Sequence, residues 1–178
     1  NFLFFNSIAQ NFQPEYKVLS DSLQTSDFSF LKKEIGDAQI ILLGETSHFE
    51  SAPFQVKAKI IKYLHQEMGF NTLAFESSSF SLNKAMDEIK KGKTGKEIFK
   101  KSLFGVWGNV NEFQSTATYY QENHQNLKLF GFDLNPTGQY YQDYLIDEMY
   151  QFLERKNIDI KLPKLDFKLL IEGYEGLV

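Results

Sequence analysis

The chain has 178 residues, a net charge of -4 at pH 7 and no cysteine. Its length suffices for one domain with a sizeable core. The acidity argues against a nucleic-acid partner, whose phosphates call for a basic surface, and the lack of Cys removes disulfides, thiol nucleophiles and thiolate metal sites together.

The first element is short and apolar. Phe2-Leu3-Phe4-Phe5 followed by Ser7-Ile8-Ala9 has the pattern of the end of a secretory leader with a small-residue cleavage site. Residues 1–9 are read as such a remnant, cut after Ala9, and residues 10–178 as one α/β unit. Export places the protein in the periplasm or outside the cell. The other reading, an ordinary apolar N-terminal segment, leaves it in the cytoplasm. No apolar run approaches the roughly 20 residues needed to span a bilayer.

Asp27 is an expected helix N-cap before 28–35. Ala38-Gln39-Ile40-Ile41-Leu42-Leu43, ending at Gly44, is expected to be a buried strand. Residues 53–67 follow at helical spacing, with Pro53 suited to the first turn and Gly69 to the stop. Thr72-Leu73-Ala74-Phe75 is a second strand, ending at Glu76, and Ser77–Ser81 a polar loop. Helices are predicted over 82–91, 95–103, 111–124 and 139–156, with Trp107 in a loop between Gly105 and Gly108. Leu127–Phe132 is a third strand, ending at Asp133. This order predicts an α/β fold built on a mainly parallel sheet flanked by helices. Three strands make a thin sheet, and parallel sheets need covering on both faces, so further strands are expected beyond residue 178.

In such sheets ligands bind at the carboxyl ends of the strands. Glu45, Glu76 and Asp133 each stand at one of those ends, with His48 a short turn beyond Glu45. Three carboxylates and an imidazole on one rim can separate an acid from a base, or offer oxygen and nitrogen ligands to a divalent metal or haem. Each has a plainer reading: Glu45 as a helix cap, His48 as a loop histidine, Asp133 as a turn former before Asn135-Pro136. Glu76, flush with a buried strand, is expected to need a partner, because burying a lone charge costs desolvation. Lys57 and Trp107 are candidates to line the same pocket. His65 reads as surface or helix packing, and His124 as a helix C-terminal cap. There is no Gly-x-Ser-x-Gly elbow, P-loop or His-Glu-x-x-His.

Leu43-Gly44-Glu45-Thr46-Ser47-His48 resembles the Gly-Glu-x-x-His signature of the erythromycin esterase family. Phe54–Leu64 resembles its following helix, Gly69-Phe70…Glu76 its next strand, and Trp107 and Gly131-Phe132-Asp133 two later landmarks, covering about residues 38–135. The resemblance implies an α/β fold and hydrolysis of a small-molecule ester or lactone, macrolides among them, with no cofactor required. It implies His48 as the general base that activates water, Glu45 as the group that positions that water, and Glu76 in support. Lys57 falls where well-studied members carry Arg, and Lys lacks the planar bidentate fork. Chains of the family are longer than this one and supply further histidines from their later portion.

Overall fold

The computed structural model describes residues 24–44, 51–135, 137–159 and 161–175. Helices dominate them: α1 (Leu31–Ile35), α2 (Ser51–Met68), α3 (Ser79–Lys90), α4 (Gly95–Ser102), the single turn α5 (Gly105–Gly108), α6 (Gln114–Asn123), α7 (Gln139–Arg155) and α8 (Lys164–Glu175). One parallel sheet of two strands, β1 (Thr72–Ser78) and β2 (Lys128–Asp133), runs through them. The two strands and their parallel pairing match the expectation, but the expected fold built mainly on a parallel sheet does not: helices dominate and the sheet has only two strands among the described residues. The residues 1–9 read as a leader lie outside the described part of the chain. Among the described residues no helix is long and apolar enough to cross a membrane.

The missing third strand is Ala38–Leu43. It runs without a ladder partner between α1 and Gly44. Alternation is present: Ile41 and Leu43 pack inward against core residues, while Ile40 and Leu42 are 78% and 88% exposed. An unbroken apolar run signals burial on both faces, and here only one side is used. At the start of the described chain, Asp27 is not the N-cap. Gln24 holds that position, and the Asp27 carboxylate accepts its backbone N–H at 2.7 Å, as the third residue of a capping box.

α2 starts near Pro53 and stops where Gly69 turns to φ 75°, a left-handed conformation that costs glycine least. Phe70 then donates its amide to the Leu64 carbonyl, and the chain enters β1. The register pairs Leu73 with Leu129 and Phe75 with Gly131. These four point to the inner face, where α3 packs on both strands. A Cβ on Gly131 would stand 2.5 Å from the Ser77 carbonyl oxygen, so the close crossing at the irregularity after Phe75 requires glycine. Around this face sits the main core, which includes Leu82, Ile98, Phe99, Phe113, Ala117 and Tyr120. Edge-on ring pairs Phe75–Phe99, Phe75–Phe113 and Phe54–Phe113, at 5.7, 5.7 and 6.0 Å between centroids, account for part of the Phe-rich composition.

Ser77–Ser81 is not a loop. Ser77 is the fully buried penultimate residue of β1, and its hydroxyl accepts the Phe104 amide at 2.9 Å. Ser78 is the N-cap of α3 and accepts from the Ser81 amide. Thr137 joins the same corner. Its hydroxyl accepts the Ser78 amide at 2.7 Å, and its carbonyl accepts the Ser81 hydroxyl at 2.7 Å. Hydroxyls here replace ladder bonds where the strand gives way to the helix.

Candidate functional site

A cavity of about 710 Å³ lies between α2 and β1. Residues 39–44 wall one side, and Lys57, Ile61, Leu64 and His65 of α2 wall another. Thr72–Glu76 of β1, Trp107 of α5, Phe113 and Phe132 complete it. Its size suits a small-molecule site, as does an apolar wall with few polar groups.

Lys57 is only 8% exposed. Its ammonium stands 5.1 Å from the centroid of the Trp107 ring and 5.9 Å from that of Phe54. The two rings meet edge to face at 5.3 Å. Aromatic faces carry negative quadrupole density and hold a cation where bulk water is thin. Trp107, expected in a loop, lies on the one-turn α5 between its two glycines. Glu76 lines the same cavity from β1. It is not flush with a buried surface: strand alternation sends Phe75 inward and turns Glu76 outward, exposed. The desolvation expected for it therefore does not arise.

Lys57, Trp107 and Glu76 thus share one cavity. Asp133 does not join them. It pairs with Ser78 at the end of β2 and turns its carboxylate onto Asn135, accepting the backbone amide at 2.9 Å and the side-chain amide at 3.2 Å. That is the turn-forming role of an Asx residue. Glu45 and His48 lie outside the described residues. Gly44, which precedes Glu45, is on the cavity wall, and the chain resumes at Ser51 at the start of α2. Among the described residues no three His, Asp or Glu side chains gather as metal ligands.

His65, read from the sequence as surface or packing, is a cavity residue. Its Nδ1 lies 2.6 Å from the Tyr119 hydroxyl, with the two rings edge to face at 5.7 Å. Burial, aided by the negative charge of Glu122, pushes the Tyr119 phenol above its ordinary pKa. The signal for His65 was available: Lys57, Ile61 and His65 recur every four residues, and such residues share one helix face. His124 is the C-cap residue of α6, and its Nδ1 donates to the Gln121 carbonyl at 2.9 Å, a capping role.

These features define a helix-rich α/β unit with a lysine, a glutamate and a histidine on the wall of one apolar cavity. No family model matches the chain. It is similar to a protein of Bacillus subtilis named "Putative hydrolase YbfO", 34% identical over 120 residues, which make up 65% of this chain and 26% of that protein. Erythromycin esterase type I of Escherichia coli is 26% identical over 145 residues, covering 78% of this chain and 35% of the esterase. Erythromycin esterase type II of Escherichia coli is 40% identical over 50 residues, covering 28% and 12%. Among solved structures, a succinoglycan biosynthesis protein superposes with a TM-score of 0.59 at 27% identity, over 91% of this chain and 39% of that one. The chain therefore spans about a third or less of the length of its curated relatives. The likenesses point to hydrolases of the erythromycin esterase type.

Proposed function

We propose that the protein is an erythromycin esterase-like hydrolase that cleaves a small-molecule ester or lactone at the Lys57–Glu76 end of the cavity. The observation that carries this reading is the presence of Lys57 and Glu76 in the lining of one apolar cavity, with Gly44 on its wall directly before the Glu45-Thr46-Ser47-His48 segment. The similarity to two erythromycin esterases and to the Bacillus subtilis protein supports it.

In this reaction the His48 imidazole takes a proton from water, and the oxygen attacks the carbonyl carbon. Glu45 orients that water, and Glu76 supports the same cluster. The carbonyl oxygen gains a full negative charge in the tetrahedral intermediate. The Lys57 ammonium, shielded from bulk water by Trp107 and Phe54, stabilises that charge. The intermediate collapses, the C–O bond breaks, and the imidazolium returns its proton to the departing alkoxide.

The test is hydrolysis of erythromycin and of p-nitrophenyl esters by the protein beside His48→Ala and Lys57→Ala. Loss of the base is expected to slow cleavage by about a hundredfold or more, and loss of the ammonium by a similar factor. Equal rates in wild type and His48→Ala would remove His48 from the mechanism. A divalent metal held by His48, Glu45 and Glu76 is the competing arrangement. It predicts stoichiometric metal by elemental analysis and activity abolished by chelators.

A further inference from the structure

Lys57, Ile61 and His65 stack along one face of α2, and with Leu64 they form the helical wall of the cavity. Eight residues separate Lys57 from His65, a rise of about 12 Å. Their surroundings set them at opposite ends. Lys57 lies against Trp107, three residues beyond Phe104, whose amide is bound by Ser77 near the carboxyl end of β1. His65 lies in the last turn of α2, just before the chain turns into the amino end of β1 at Thr72. Between them the wall is hydrocarbon, contributed by Ile61 and Leu64 from the helix and Leu73 from the strand.

The His65 ring has a defined partner. The Tyr119 phenol is buried, and its oxygen lies 2.6 Å from His65 Nδ1. That bond occupies Nδ1 and leaves Nε2 to a ligand, as donor or acceptor according to the tautomer. The cavity thus has a cation at one end and a tethered imidazole at the other, with Ile61, Leu64 and Leu73 on the wall between.

We propose that His65, held by Tyr119, is the distal specificity anchor of this cavity, hydrogen-bonding through Nε2 a hydroxyl at the end of the substrate remote from the ester carbonyl engaged at Lys57. The assignment of the ester to the Lys57 end rests on the esterase reading above. The substrate class is an ester of a medium-length acyl chain with a hydroxyl at its far end. An extended chain advances about 1.2 Å per bond, taking 3.3–3.6 Å for the three backbone bonds of a residue. The backbone rise of about 12 Å between the two positions corresponds to about ten such bonds, so an ω-hydroxydecanoyl group is a probe of matching scale.

Trp107, the single tryptophan, lies on the cavity wall and reports binding by its fluorescence. Methyl decanoate and methyl ω-hydroxydecanoate are titrated against the intact chain, His65→Phe, His65→Gln and Tyr119→Phe. The wild type is expected to bind the hydroxylated ester about tenfold more tightly, the gain of one added hydrogen bond. His65→Phe loses the preference, and an unfolding midpoint close to that of the wild type reports that the fold around the cavity is intact. His65→Gln retains part of the preference through its side-chain amide, and Tyr119→Phe weakens it by freeing the ring from the bond that orients it. Equal binding of the two esters by the wild type, or no binding of either, overturns the anchor. So does a preference that survives in His65→Phe. Hydrolysis is followed in parallel. A binding preference without ester cleavage sinks the catalytic reading and leaves the anchor standing; cleavage without a preference does the reverse.

Discussion

The two faces of the short sheet do different work. On the inner face Leu129 is 1% exposed and Phe75 is wedged among rings, with α3 closing over both strands. On the outer face Ala74, Glu76, Phe130 and Phe132 meet solvent or the cavity, and the neighbouring stretch Ala38–Gly44 leaves Ile40 and Leu42 outside. Deep in the inner face mutations should change stability, and along the cavity, which Leu73 of the inner face and Glu76 of the outer face both line, they should change binding. Close packing leaves no room for a ligand, so the polar side chains with chemical reach, Lys57, Glu76 and His65, gather where packing stops.

The sharpest way to break this contrast is a pair of leucine truncations. Leu129→Ala opens a hole in the main core and is expected to cost about 3 kcal/mol in urea unfolding. Leu42→Ala, at 88% exposure, is expected to stay within about 0.5 kcal/mol. Similar costs at both sites would erase the distinction between the faces. Ser77→Ala comes next. It strips the Phe104 amide of its acceptor and should lower stability by about 1–2 kcal/mol, whereas Ser79→Ala, one residue beyond the cap at the start of α3, should be nearly silent.

The smallest effect is electrostatic. Glu88, near the end of α3, is held below the usual carboxylate range first by its hydrogen bond to Lys91 at 2.9 Å, against the opposing cost of burial. A carboxylate with a lowered pKa in the folded state stabilises the fold above its ordinary value of 4.5 and loses that contribution as pH falls through the lowered value. Glu88→Gln should therefore flatten the acid limb of the stability–pH curve. At neutral pH it should cost less than about 1 kcal/mol, because Lys91 is 64% exposed and screened by solvent.

Much of the architecture was legible because glycine and proline punctuate it. Pro53 and Gly69 bracket α2, and the apolar runs at Thr72–Phe75 and Leu127–Phe132 are the two strands, paired in parallel. Ala38–Leu43 misled because composition reports apolar area and not a ladder partner. Ser77–Ser81 errs in the opposite sense: its composition reads as a polar loop, but a buried serine that accepts a backbone amide is as much core as a leucine. For the site, Lys57, Trp107 and Glu76 line one cavity. Asp133 follows its plainer turn-forming reading because Asn135 captures its carboxylate. His65 was passed over because its partner, Tyr119, lies 54 residues away in sequence, and spacing along one helix says nothing about the helix that faces it.

Among the described residues, β1 is laddered on one side alone, to β2, with the apolar stretch Ile40–Leu43 beside the cavity without a ladder of its own. Open sheet margins of this kind recruit strands indiscriminately, and charge or proline is what ordinarily blunts them. Neither occurs in Ile40–Leu43, and β1 carries a single charge, Glu76. Concentrated solutions of this chain should accordingly be prone to intermolecular β-pairing, and a lysine placed at Leu42 should keep the protein dispersed without disturbing its interior.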